Sequence, residues 1–149
     1  MTRYLVDTDI ISVTSPARAL PRADLAAWMD SHSSDLFVSA VTIAELASGI
    51  AKVKREGARR RAAELSAWLQ TLLHLYGDRV LTFDIATAEI AGALSDRARG
   101  RGQSPGFADI AIAATAQRHH LTLLTGNTRH FAPLGVPVVD PLQKLPDEK

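Results

Sequence analysis

Cysteine is absent from all 149 residues, which removes a disulfide framework, a thiolate metal site and a cysteine nucleophile together. Aromatic residues are scarce at 5%, so broad stacking platforms for single-stranded nucleic acid are poorly represented. Neither sign of charge prevails. Lysine and arginine number 17 against 16 acidic residues, a formal net charge of +1, and no overall cationic field marks a non-specific nucleic-acid coat. No apolar run approaches the ~20 residues of a membrane span, and the opening MTRYLVDTD meets Asp7 after three apolar residues. Secretion and membrane insertion are therefore not expected, and the cytoplasm is the expected location.

What is present is a chain that is 46% hydrophobic and 22% charged, the balance of one compact domain of ordinary size. Short apolar runs read as strands at Tyr4-Leu5-Val6, Leu36-Phe37-Val38, Val80-Leu81, Leu121 to Leu124, and Val136 with Val138-Val139. Between them lie segments of helical periodicity. Leu25, Trp28 and Met29 follow Leu20-Pro21, and Ile43, Leu46, Ala47 and Ile50 follow Thr42. Beyond Gly57 comes the broad stripe Leu65, Trp68, Leu69, Leu72 and Leu73, closed by Tyr76-Gly77-Asp78. Asp84 stands as an N-cap before Ala88, Ala91, Leu94 and Ala98. Residues 97–106, RARGRGQSPG, read as a flexible basic loop, and the alanine-rich run 108–116 as a helix pressed on a sheet. Strands alternating with helices predict an α/β domain around a mostly parallel sheet over residues 1–140, with 141–149 as a frayed C-terminal tail. No internal repeat is present.

Three acids stand out. Ligands of an open α/β sheet bind outside the carboxyl ends of its strands, and Asp7 falls where the first strand runs out. Glu45 lies near the first turn of the helix after the second strand. Asp109 sits among Ala108, Ile110, Ala111 and Ile112, where a carboxylate needs a partner. Three carboxylates converging on one pocket repel one another unless a cation compensates. With oxygen ligands and no thiolate, Mg²⁺ or Mn²⁺ is favoured over zinc, and such an ion suits phosphodiester hydrolysis.

Each residue also has a purely structural reading. Asp7 and Asp9 suit Asx-turn bonds after a strand. Thr42-Ile43-Ala44-Glu45 matches a capping box, in which Glu45 only satisfies a backbone N–H. Asp109 is favoured by the positive end of its own helix, and Asn127 in Thr125-Gly126-Asn127-Thr128 suits a turn. Residues 52–61, KVKREGARRR, hold six of the 17 basic residues and read either as a solvated helix junction or as a phosphate-contacting surface, with Arg97, Arg99 and Arg101 as a looser second patch. His119-His120 reads as surface. The Leu65 to Leu73 stripe reads as core, with a share left for a dimer contact or for a partner helix in a groove.

Four separated segments, YLVDTDIIS, TIAEL, FADIAIAATAQ and LTLLTGNTRHF, resemble the PIN-domain ribonucleases, in particular the toxins of bacterial VapBC-type toxin–antitoxin pairs. The resemblance covers nearly the whole chain. It implies a three-layer α/β/α PIN-like domain whose parallel sheet gathers an acidic, metal-binding cluster at one end. By that likeness Asp7, Glu45 and Asp109 hold Mg²⁺ or Mn²⁺, with Glu45 orienting the attacking water. The fourth position, often aspartate in the family, falls on Asn127, which would place water or a phosphate oxygen through its amide. Thr8 and Thr125 would tune the carboxylates. The resemblance further implies an endoribonuclease acting on RNA, a homodimer, and a small cognate antitoxin. Two rivals are weighed beside it. Asp7-Thr8-Asp9 also resembles the DxD motif of haloacid-dehalogenase-like phosphatases with Asp7 as nucleophile, although the chain has only Lys52, Lys54, Lys144 and Lys149 and no downstream DD. The other rival is a catalytically inactive PIN-like binding module, suggested by Asn127 and by the capping-box role of Glu45.

Overall fold

In the computed structural model, residues 2–16 and 22–146 are described. The five strands are β1 (Tyr4–Val6), β2 (Leu36–Ser39), β3 (Val80–Leu81), β4 (Thr122–Leu124) and β5 (Val138–Val139). They pair in parallel throughout, in the order β3-β2-β1-β4-β5. Tyr4 lies opposite both Leu36 and Thr122, and Val6 opposite Leu124, so β1 is the centre of the sheet.

Side chains alternate across a strand, and here both faces are apolar because helices cover both. Tyr4, Val6, Leu36, Val38 and Leu124 enter one core with Ile10 and Ile11 of α1 (Thr8–Ile11) and with Leu25, Trp28 and Met29 of α2 (Ala23–Ser31). Leu46 of α3 (Ala40–Arg55) and Leu69 and Leu72 of α4 (Arg59–Tyr76) complete that layer. Leu5 and Leu123 enter the other core, with Ala91, Leu94 and Ala98 of α5 (Ile85–Gly100) and Ile110, Ile112, Ala113, Ala114 and Ala116 of α6 (Phe107–Arg118). Phe131 of α7 (Thr128–Phe131) joins them. The result is the expected three-layer α/β/α sandwich around a parallel sheet.

This strand order positions the site. The chain leaves β1 toward β2 on one side, while β4 lies on the other, so the order reverses between β1 and β4. A crevice opens at such a point beyond the carboxyl ends of the two strands. Asp7 follows β1 directly and Thr125 follows β4 directly, which brings residues 118 apart in sequence to the same edge.

Several local expectations change. The helix after β2 starts at Ala40 rather than at Thr42, because the Ser39 side chain accepts the Val41 N–H at 3.0 Å and caps it. Thr42 and Glu45 are therefore inside α3, and the capping box does not form. Arg97 and Arg99 belong to the last turn of α5, where cations meet the negative helix end, so the loop between the helices is only 101–106. The segment 141–146 does not fray: Leu142 and Leu145 pack on the first core, and Arg22 donates to the Leu142 carbonyl at 3.2 Å. Val136 lies outside β5. Two one-turn helices, α1 and α7, stand where the sequence predicts none. Asp84 does cap α5, accepting from the Thr87 N–H at 2.9 Å and the Thr87 hydroxyl at 2.7 Å. Leu20-Pro21 lies outside the described residues. The Leu65 to Leu73 stripe is core: Leu65, Leu69 and Leu72 are buried, and Trp68 and Leu73 pack on the first cluster.

Candidate active site

Asp7 is the buried acid of the crevice, with 5% of its surface exposed. It caps α1 through Oδ1, which accepts the Thr8 N–H at 2.8 Å, and its Oδ2 accepts the hydroxyl of fully buried Thr125 at 2.8 Å. Both oxygens are thus fixed in orientation by β1–α1 and by the end of β4. Burial pushes the Asp7 carboxyl up to about 6, with the charges of Asp9 and Asp109 adding to the rise and the bonds from Thr125 and Thr8 opposing it. Asp109, the third residue of α6, is near enough for its charge to add to that rise.

Glu45 reaches the crevice from the second turn of α3. Its Oε1 accepts the Thr8 hydroxyl at 2.6 Å, and that hydroxyl also lies 3.2 Å from Thr42 Oγ1. Asp7 and Glu45 are therefore linked through one residue, Thr8, by its amide and its hydroxyl. Asp109 Oδ2 lies 3.4 Å from Nδ1 of His130, on α7. Asn127 is exposed at the N-cap of α7. Its N–H donates to Thr125 Oγ1 at 3.0 Å, while its side chain makes no capping bond and is left available. Thr8 thus links Asp7 with Glu45 and Thr125 links Asp7 with Asn127, while Asp109 pairs with His130.

Asp9, expected as a turn residue or as the second acid of a DxD motif, belongs to this neighbourhood. Its Oδ2 accepts the Gly126 N–H at 2.8 Å, and its Oδ1 is buried with no hydrogen-bond partner. Burial raises its carboxyl above the ordinary range, against the Gly126 bond, and the charge of Asp140 adds to the rise. Gly126 permits the approach: a Cβ there would stand 2.9 Å from Asp9 Oδ2 and 2.8 Å from Leu142 Cδ1. The signal available in the sequence was the spacing of Asp7 and Asp9, two carboxylates in one tight turn after a strand.

The donor set suits a hard divalent ion, since every candidate ligand is an oxygen and a buried carboxylate beside two others lacks a compensating charge. Among the described residues, no group of three or more Asp, Glu or His side chains is gathered closely enough to hold a metal ion. His119 and His120 take no part. The basic stretch forms the turn between α3 and α4, with Lys52, Lys54 and Arg55 in the last turn of one helix and Arg59 to Arg61 opening the next. A cleft there is lined by Arg59, Arg60, Arg61 and by Pro16, which follows the β1–α1 segment. No helix among the described residues is long and apolar enough to cross a membrane.

A parallel sheet in this order, with a buried aspartate after β1 and an aspartate in the first turn of α6, defines an α/β domain with an acidic edge at its switch point, and the comparisons assign its family. Residues 4–135 match the family model described as PIN domain. The chain is similar to Toxin FitB of Neisseria gonorrhoeae, 36% identical over 141 residues, covering 92% of this chain and 96% of that protein. It is also similar to the VapC ribonuclease Y4jK of Sinorhizobium fredii, 33% identical over 138 residues with 92% and 96% covered. Among solved structures, FitAcB from Neisseria gonorrhoeae superposes with a TM-score of 0.81 at 34% identity, covering 93% of this chain and 98% of that one. The chain belongs to the PIN-domain family, among its VapC/FitB-type toxins of type II toxin–antitoxin pairs, whose general class of activity is metal-dependent ribonuclease.

Proposed function

We propose that this chain is the toxin of such a pair and hydrolyses RNA phosphodiester bonds internally, in the cytoplasm, at the Asp7 crevice with Mg²⁺ or Mn²⁺. The observation that carries the reading is Asp7 itself, a buried carboxylate at the sheet's switch point, destabilised in its charged form by burial and by neighbouring acids. Asp7, Glu45 and Asp109 would hold the ion. When bound, it supplies a Lewis acid for a phosphoryl oxygen and acidifies its own water.

The chain's own residues do the rest. Thr8 and Thr125 hold Asp7 in one orientation through its two oxygens. The Thr8 hydroxyl fixes Glu45 by Oε1, leaving Oε2 to accept a proton from attacking water. Asn127, with its side-chain amide unused by the helix cap, is placed to bond a phosphate oxygen or that water. The inactive-module alternative drew support from Glu45 as a helix cap, and Ser39 fills that role instead. The phosphatase alternative also needs a suitably placed lysine and a later acidic pair, and the chain has four lysines and no DD.

Relatives solved as FitAcB and as FitAB bound to a DNA fragment support a small cognate antitoxin as partner of this chain, while the homodimer rests on the family resemblance. Purified protein is expected to cut single-stranded RNA with Mg²⁺ or Mn²⁺ and to stop with EDTA. Asp7→Asn and Asp109→Asn should each remove cleavage; undiminished cutting by the double variant would overturn the site.

A further inference from the structure

Glu45 is the one acid of α3, and it stands at the crevice, 2.6 Å from the Thr8 hydroxyl. Seven residues on, Lys52 returns to nearly the same side of the helix, about 20° round and about 10 Å along its axis. Ser48, Gly49 and Arg55 share that side, within about 120° of arc. All five are exposed, while Thr42 and Leu46 turn inward and are buried. No element overlies the middle of this strip, since a Cβ added to Gly49 would meet nothing within 4 Å. A solvated face therefore leads from the crevice acid to a cation. Past the helix end the positive charge continues: a turn of residues 56–58 leads to Arg59, Arg60 and Arg61, all exposed, at the start of α4. The stability of α4 does not account for these arginines. The helix has no side-chain cap and no acid in its first turn, and cations at the positive end of a helix are unfavourable. Among the described residues the ion pair here is Arg60 with Glu64 at 3.7 Å, exposed on both sides and of little worth. Trp68 of α4 donates to Thr14 Oγ1 at 3.3 Å and Pro16 lines the arginine cleft, so α4 is held against the segment that continues from α1.

We infer that the exposed face of α3 and the turn into α4 form a track for the RNA strand on one side of the cleaved bond. Lys52 takes a phosphate close to the crevice, and Arg59, Arg60 and Arg61 take phosphates further out. The inference rests on the nuclease reading and adds the course of the substrate to it. α3 serves as the ruler: it is one uninterrupted helix from Ala40 to Arg55, so the distance from Glu45 to its last turn, about 15 Å, is the span of a few nucleotides. Between Glu45 and Lys52 the strip carries no acid that would repel a phosphate. Contacts of this kind place the backbone without reading the bases. A partner helix would need apolar anchors at helical spacing. The large exposed apolar side chains, Leu75, Ile85 and Phe107, all lie outside residues 45–61, so the surface suits a polyanion and offers a protein no anchor.

The test uses the full chain and a fluorescein-labelled single-stranded RNA of about a dozen nucleotides, with binding read by anisotropy in EDTA over a range of salt, so that cleavage is not needed. The slope of log affinity against log salt should shrink by about 0.7 for Lys52→Ala and by about 2 for the combined Arg59→Ala, Arg60→Ala, Arg61→Ala variant, which should also bind about ten-fold or more weakly at low salt. Lysine at the three arginine positions should restore the slope, because the charge is kept. A series of RNAs shortened one nucleotide at a time then orders the contacts. Shortening from one end should first remove the contribution of the arginines and then that of Lys52, so the outer loss should vanish in the arginine variant and the inner one in Lys52→Ala. Unchanged slopes in both variants overturn the track, as do losses in the reverse order or a failure of the unmodified chain to bind RNA. So does unchanged RNA binding accompanied by loss of self-association or of antitoxin capture, which would assign the basic face to a protein contact. Ordered losses without any cleavage when Mg²⁺ is added would instead reject the nuclease reading and leave the track standing. Matching circular-dichroism melts of the variants and the unmodified chain exclude misfolding.

Discussion

Asp7 shows how far a single residue can be read in each direction. Its place after the first strand was legible, because an apolar triplet ending in an acid marks a strand edge. Its burial and its bond to Thr125 were not, since they depend on which strand becomes the neighbour of β1. The consequence for stability follows from the raised carboxyl, about 6 against an ordinary 3.8. The folded protein binds this proton more tightly than the unfolded chain, so the residue contributes least stability above the folded value and most below the unfolded one. In metal-free buffer stability should therefore fall as pH rises from about 4 to about 6. Asp7→Asn, which stays uncharged, should be more stable at pH 7 by up to about 3 kcal/mol while losing cleavage. The gain should shrink toward zero near pH 4. Urea titrations at the two pH values measure this, and an equal difference at both would show that Asp7 carries no folded-state shift. Thr125→Val, which removes a buried hydroxyl from Asp7 Oδ2 and from the Asn127 amide, should cost about 1–2 kcal/mol.

At the scale of elements, helices were legible and their ends less so. The periodicity of α3 is visible, but Thr42 and Glu45 fit a capping pattern so well by type that they mask the true cap, Ser39 at the end of β2. The physical reason is that a capping box is a local pattern, whereas the register of β2 against β1 fixes where that strand stops and the helix begins. The same happened at 97–106, where glycine and arginine suggested a loop although arginine is a good helix former near a carboxyl end. The structure separates the two roles by experiment. Ser39→Ala should destabilise the protein by about 1 kcal/mol, the usual cost of losing such a cap. Glu45→Gln should leave the thermal midpoint within a degree or two while reducing cleavage by about 100-fold or more, the size of a lost proton acceptor. If Glu45→Gln melts early and Ser39→Ala does not, Glu45 is the cap and its catalytic role falls.

For the molecule as a whole, two strand ends far apart in sequence close one crevice, and the last described segment closes beside it. Leu142 packs on the first core and touches the space around Gly126, so residues 141–146 brace the turn after β4 rather than trailing into solvent. This is illegible because PLQKLPDEK has the composition of a loose end, and only the packed neighbours of Leu142 and Leu145 make residues 141–146 part of the fold. The acidic edge then sets how the folded chain responds to a cation. A divalent ion that binds the native crevice and not the unfolded chain stabilises it by RT ln(1 + [L]/Kd), about 2.7 kcal/mol at a hundredfold excess over Kd. It competes with the proton on Asp7, whose carboxyl titrates near 6 without metal. Added Mn²⁺ or Mg²⁺ should therefore raise the thermal midpoint clearly at pH 7.5 and hardly at pH 4.5, and Asp109→Asn should blunt the rise at the higher pH. A rise of equal size at both pH values, or one undiminished by Asp109→Asn, would place the ion elsewhere on the surface, and the crevice would then have to compensate its buried carboxylate by protonation alone.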